Sequence, residues 1–84
     1  MKVYVVFSQH GSVDNAFASP SKYAYRKKAE AIEASHNLFL DEVDGIRTNV
    51  DSADIHYADF GHGSYLMQYG DRQLRTFVVD FDLI

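Results

Sequence analysis

His56 and His62 stand six residues apart with Asp54 and Asp59 close by, a set of nitrogen and oxygen donors from which a divalent-metal site can be drawn. Their spacing follows no standard ligand motif, and Gly61-His62-Gly63 reads first as a turn that leaves its histidine in water. Asp80 and Asp82 alternate along a β-prone segment, so both carboxylates point to one face, a geometry suited to Mg²⁺ or to acid-base work. The competing reading is that charges on a strand near the chain end discourage edge-to-edge pairing. Gly61-x-Gly63 could approach a phosphate, but no lysine follows at Walker spacing and no helix start comes after it. His36 falls on an apolar helical stripe, where a core imidazole is favoured over a pH switch. The histidines, serines and acids assemble into no triad order. Cysteine is absent, which excludes disulfides, thiolate nucleophiles and zinc-thiolate sites. The residues therefore predict a non-enzymatic chain with no metal site and no cofactor; the alternative, a metal-dependent hydrolase using His56, His62 and the neighbouring aspartates, requires a bound metal.

Charge is more informative than any of these sets. The net charge is −4, against a nucleic-acid backbone as the main partner. It is unevenly spread: residues 1–28 hold five Lys and Arg against one acid, and residues 29–84 hold three Arg against eleven acids. Tyr23, Tyr25, Arg26, Lys27 and Lys28 interleave aromatic and basic groups, a composition that can stack bases and neutralise phosphates. Asp41, Glu42, Asp44, Asp51, Asp54 and Asp59 form an acidic set that can steer the domain onto a basic surface of another protein, or serve solubility alone.

Positioning these groups requires a core, and 84 residues provide for one. The six Tyr and six Phe supply the large buried areas a chain without disulfides needs. Residues 2–8 read as an interior strand, being continuously apolar and followed by a break at His10-Gly11-Ser12. Residues 13–18 suggest a short second strand, hairpin-paired with the first. Ser19-Pro20 carries a helix start signal. Tyr25, Ala29, Ile32, His36, Phe39 and Val43 then recur at helical spacing, opposite Arg26, Glu30, Glu33, Asn37, Asp41 and Asp44. The expected helix spans about 20–43, with Gly45 as its C-terminal cap. After a loop over 46–54, residues 55–60 and 65–69 form strands, and Gly70-Asp71 turns the chain into a last strand over 74–83. A two-residue loop there sets Ser64 opposite Phe77; a three-residue loop pairs Tyr65 with Phe77. The fold class is α+β: one domain over 1–84, with one amphipathic helix on a mostly antiparallel sheet of four to five strands in the order β-β-α-β-β-β.

The opening strand Met1-Lys2-Val3-Tyr4-Val5-Val6-Phe7, then Phe17-Ala18-Ser19-Pro20 and the helical Lys28-Ala29-Glu30-Ala31-Ile32-Glu33, resembles the strand-plus-helix start of small phage and prophage accessory proteins. The likeness covers about the first half. Some acidic proteins of that kind, anti-CRISPR proteins among them, inhibit host defence by blocking a nucleic-acid-binding surface. The resemblance thus implies an inhibitor of a host protein, and it transfers no functional residue because these proteins share no motif.

Residues and resemblance together point to a small acidic protein-binding module whose partner is a host protein with a basic surface, acting through Asp41, Glu42, Asp44, Asp51, Asp54 and Asp59. The alternative is a nucleic-acid-binding domain acting through Tyr23, Tyr25, Arg26, Lys27 and Lys28. The apolar run 3–7 is too short for a signal-peptide core and nothing approaches a membrane span, so no membrane association and a cytoplasmic location, the host's if phage-encoded, are expected. Homodimerisation through an edge strand is compatible with either reading.

Overall fold

The computed structural model of the chain describes residues 1–12, 15–47 and 55–82. The strands are β1 (Lys2–Ser12), β2 (Asn15–Tyr25), β3 (Ile55–Gly61), β4 (Ser64–Tyr69) and β5 (Arg72–Asp82), with one helix, α1 (Lys28–Arg47), between β2 and β3. All strand pairs are antiparallel and the spatial order is β2-β1-β5-β4-β3. This is the expected α+β architecture.

Its central contact joins the first and last strands. β1 and β5 pair in register along eleven residues, from Lys2 opposite Asp82 to Ser12 opposite Arg72. β1 thus has a strand on each side, the interior position that its apolar run suggests. β5 has β1 along its whole length, but β4 reaches only Arg72 to Thr76. Among the described residues Asp80 and Asp82 therefore lie where β5 has a strand on one side only, in keeping with their reading as charges that discourage edge pairing. The outermost strands are β2 and β3.

The helix start is also corrected. Pro20 lies in β2 opposite Phe7, and α1 begins eight residues later at Lys28. A proline lacks the N–H an interior strand must donate, but an edge strand tolerates the loss. The register shifts beside this point, between Val5 and Phe7. The second strand is therefore eleven residues long rather than short, and Tyr25 belongs to it instead of to the helical stripe. At the other end, Gly45 does not cap: α1 continues to Arg47, taking in Ile46, which had been expected in a loop. The remainder of that loop, residues 48–54, lies outside the described residues.

Ala31, Ser35, Phe39 and Val43 form the buried line of α1, while His36 is exposed, correcting its assignment to the core. His36 instead lies against Tyr65 in a tilted contact with ring centroids 5.2 Å apart, and Phe39 stacks on the same ring at 5.4 Å. Small residues lead the line and large ones follow. Ala31 and Ser35 let the first half of α1 approach the β3–β4 turn, whereas Phe39 and Val43 fill a wider space against Met67, Tyr69 and Leu74. No side chain of the preferred capping type precedes the helix; its first bond runs from the Ala31 N–H to the Lys27 carbonyl at 3.2 Å. Packing of the buried line, rather than a cap, holds α1.

Gly63 marks the closest approach. It has φ +81°, and a Cβ there would lie 3.1 Å from the Ile32 Cα and 3.0 Å from the Val78 Cγ2. The buried Ser35 hydroxyl donates to the Gly63 carbonyl at 2.6 Å, and the buried Thr76 hydroxyl donates to the Ser35 carbonyl at 3.2 Å. These bonds satisfy the enclosed Ser35 and Thr76 hydroxyls and tie helix, turn and central strand together, whereas the Ser64 hydroxyl is buried without a partner. At the other hairpin, Tyr69 pairs with Arg72 across a two-residue loop, with Gly70 at φ +61°. The two-residue register prevails and sets Tyr65 opposite Thr76.

Candidate functional site

The sheet has two faces, and α1 covers one. Strand alternation places Val6, Leu74, Thr76 and Met67 on the covered face, where each is 1% exposed or less. The other face presents Val3, Val5 and Phe7 from β1, Phe77, Val79 and Phe81 from β5, and Leu66 from β4. None of these is fully buried, and Phe81 is 46% exposed. Among the described residues no element packs over them. Phe7 and Phe77 stack at the centre, with ring centroids 5.5 Å apart and planes 10° apart.

Polar groups occupy one end of this open face. Gln9, Gln73 and Arg75 lie there by alternation, and the Arg75 guanidinium stands 5.1 Å over the Phe77 ring. Within β1, β4 and β5, Arg75 is the single formal charge on this face, and no carboxylate reaches it. In a chain of net charge −4 this distribution is distinctive. An antiparallel sheet with one solvated face ordinarily alternates apolar inside with polar outside; here β1 and β5 carry apolar groups on both sides.

The acidic set does not form one patch. Asp41 and Asp44 are exposed on the outer side of α1, in line with Glu30 and Glu33. Glu42 turns inward and accepts a hydrogen bond from the Ser8 hydroxyl at 3.2 Å. Asp59 accepts from the Gly61 N–H at 2.8 Å, fixing the β3–β4 turn. It pairs with Tyr65, at the level of Thr76 and Ser35. Asp41 and Asp44 lie about 9 and 14 Å further along the helix axis. Asp51 and Asp54 lie outside the described residues.

The basic and aromatic set is brought to one end of the molecule, although not on a helix. Tyr23 and Tyr25 close β2, Arg26 and Lys27 form the bend, and Lys28 opens α1. Tyr25 pairs with Tyr4. Beside them Lys2, Tyr4, Lys28, His62, Val78 and Asp80 line an open cleft of about 370 Å³. Lys2 Nζ and Asp80 Oδ2 are 3.2 Å apart. The hydrogen bond from Lys2 and its positive charge hold the Asp80 carboxyl below the ordinary carboxylate value, and the same contact raises the Lys2 ammonium. Asp80 thus stays ionised and occupied by Lys2.

The histidines do not converge. His56 pairs with Gln68 on β3, whereas His62 sits in the turn at φ 53° between Gly61 and Gly63. Among the described residues no three His, Asp or Glu side chains lie close enough together to hold a metal ion. Also among the described residues, no helix is long and apolar enough to cross a membrane.

Sequence reasoning missed the open face and the Ser35–Gly63–Thr76 network. The first left a signal, because residues 77–79 are apolar without alternation. The second left none, since Ser35 and Thr76 are distant in sequence. The fold defines the class, a single-helix α+β sheet protein open on one side. Comparison with family models, with curated proteins and with solved structures finds no match to this chain.

Proposed function

We propose that this chain is a non-enzymatic protein-binding module whose docking surface is the open sheet face around Phe7 and Phe77. The observation that carries the reading is the apolar, carboxylate-free character of that face. With β1, β2 and β5 about 33 Å long, β3 and β4 about 20 Å, and strands about 4.8 Å apart, the face measures on the order of 500 Å². That is more than half of the ~800 Å² a partner contributes to an ordinary stable interface. Stacked aromatics beside an arginine are the side chains that most often anchor such contacts.

The acidic stripe of Glu30, Glu33, Asp41 and Asp44 lies on the opposite side and supports a partner, or a second part of one, with a basic surface. A narrower reading, inhibition of a host nucleic-acid-binding protein by a phage-type factor, rests on that stripe together with the resemblance of the first half of the chain. The test is capture from host lysate with the wild-type chain, with Phe77→Asp, and with Glu33, Asp41 and Asp44 changed to Lys. Phe77→Asp removes the captured protein, and the lysine variant weakens capture and flattens its salt dependence. Capture unchanged by Phe77→Asp in a folded variant rejects the proposal.

A second reading draws on the cleft at the basic end. Lys28, His62 and Tyr4 line it, with Lys2 paired to Asp80, and Tyr23, Tyr25, Arg26 and Lys27 adjoin Lys28 in the chain, which supports binding of single-stranded nucleic acid. Fluorescence anisotropy with a short labelled oligonucleotide at low salt tests it. An unchanged signal rejects it.

A further inference from the structure

The two edges of the sheet differ in how they meet solvent. At β2, Pro20 interrupts the row of N–H donors and the register shifts beside it, two devices that blunt an edge. β3 has no proline; its register shifts only near its end, between Asp59 and Gly61, and from Ile55 to Asp59 it pairs regularly with β4, with no strand on its outer side among the described residues. Its surroundings are apolar: Leu40, Tyr57 and Phe60 are 47%, 53% and 62% exposed, three of the large apolar side chains left in water among the described residues. Phe39, Leu40, Val43, Arg47 and Tyr57 line a groove of about 380 Å³ between α1 and this strand.

We infer that β3 pairs with β3 of a second copy of the chain, antiparallel about a two-fold axis, joining two sheets into one of ten strands. Charge placement selects this occupant. Arg47 borders the groove near the Ile55 end of β3, where the neighbouring Ile46 packs, and Asp59 lies near the other end. An antiparallel two-fold reverses the second strand, so each Arg47 faces the Asp59 end of the other copy. A register centred on Ala58 sets Tyr57 opposite the other copy's Asp59 and opposes no like charges. The axis stands perpendicular to the joined sheet, so both helices share one face and the two grooves close on each other over Leu40 and Tyr57. Seven residues make a contact only about 23 Å long. The pair is therefore reversible, and its population follows concentration.

The surface is distinct from the open face, so the two proposals stand or fall separately. Sedimentation velocity on the full chain, from low micromolar to submillimolar concentration, reads the outcome. The wild type moves from monomer towards dimer as concentration rises. Tyr57→Lys and Arg47→Asp each weaken association several-fold, and the charge swap Arg47→Asp with Asp59→Lys restores it towards the wild type. Asp59 also bonds the Gly61 N–H, so the swap is checked for folding by circular dichroism. Should it fail to fold, the two single variants decide. A wild type that stays monomeric throughout overturns the inference. So does association that survives Tyr57→Lys, or that is abolished by Phe77→Asp, which would place the contact on the open face.

Discussion

Consecutive residues of β5 live in different environments. Leu74 and Thr76 are fully enclosed beneath α1, whereas Phe77 and Val79, turned to the other side, keep contact with water. Both sides of the strand are rich in apolar groups, so hydrophobicity alone does not separate them. The difference is made by the helix: Phe39 and Val43 press on one side, and among the described residues nothing presses on the other. Apolar residues on the covered side are accounted for by folding. Those on the open side have no covering layer among the described residues, and the proposed docking role accounts for them by association.

If that division holds, substitutions on the two sides have unequal costs. Leu74→Ala leaves a cavity in the packed layer and lowers unfolding free energy by about 2–5 kcal/mol, whereas Val79→Ala on the open side costs about 1 kcal/mol or less. Urea denaturation of both variants measures the contrast, and equal losses would break it. Gly63→Ala, which forces a side chain into the left-handed region and against the Ile32 backbone, costs about 1–3 kcal/mol in the same assay. Ser35→Ala leaves the enclosed Gly63 carbonyl without its hydroxyl donor, at about 1–2 kcal/mol, and sharpens the claim that the covered layer depends on matched polar groups.

The smallest effect belongs to the exposed Lys2–Asp80 pair. Asp80 has a lowered pKa in the folded chain, so its contribution is present above the ordinary carboxylate range and vanishes as pH falls through the folded value. Lys2 has a raised one, so its contribution is present below the ordinary lysine value and vanishes as pH rises through the folded value. Asp80→Asn therefore lowers the melting temperature slightly at neutral pH and not at all in strong acid. Thermal melts of both proteins at the two pH values check the sign. A difference that persisted in acid would assign the effect to packing instead of charge.

Much of the fold could be read from residue order. The β1 run, the Gly70-Asp71 turn, strands over 55–60 and 65–69, and the helical recurrence of Ile32, Phe39 and Val43 all correspond to elements of the structure. The helix start failed because Ser19-Pro20 is locally a helix signal, and only an edge position in the sheet makes a proline there acceptable as part of a strand. His36 failed for a different reason. Its spacing suits the buried stripe, but the winding of Ala31, Ser35, Phe39 and Val43 around the helix turns it out onto Tyr65. Of the candidate sites, the basic and aromatic residues are gathered at one end by β2 and the bend before α1, because they are neighbours in the chain. The acidic set is not gathered: Glu42 and Asp59 are drawn into local hydrogen bonds.

By itself the sequence determined the α+β class, a single amphipathic helix, the uneven charge and the absence of cysteine chemistry, since these depend on composition and short-range periodicity. Tertiary structure decided which strand is central, which edge is blunted and which sheet face stays open. Those outcomes depend on β1 meeting β5 across nearly the whole chain and on where one helix docks, and neither is encoded in any local stretch of residues.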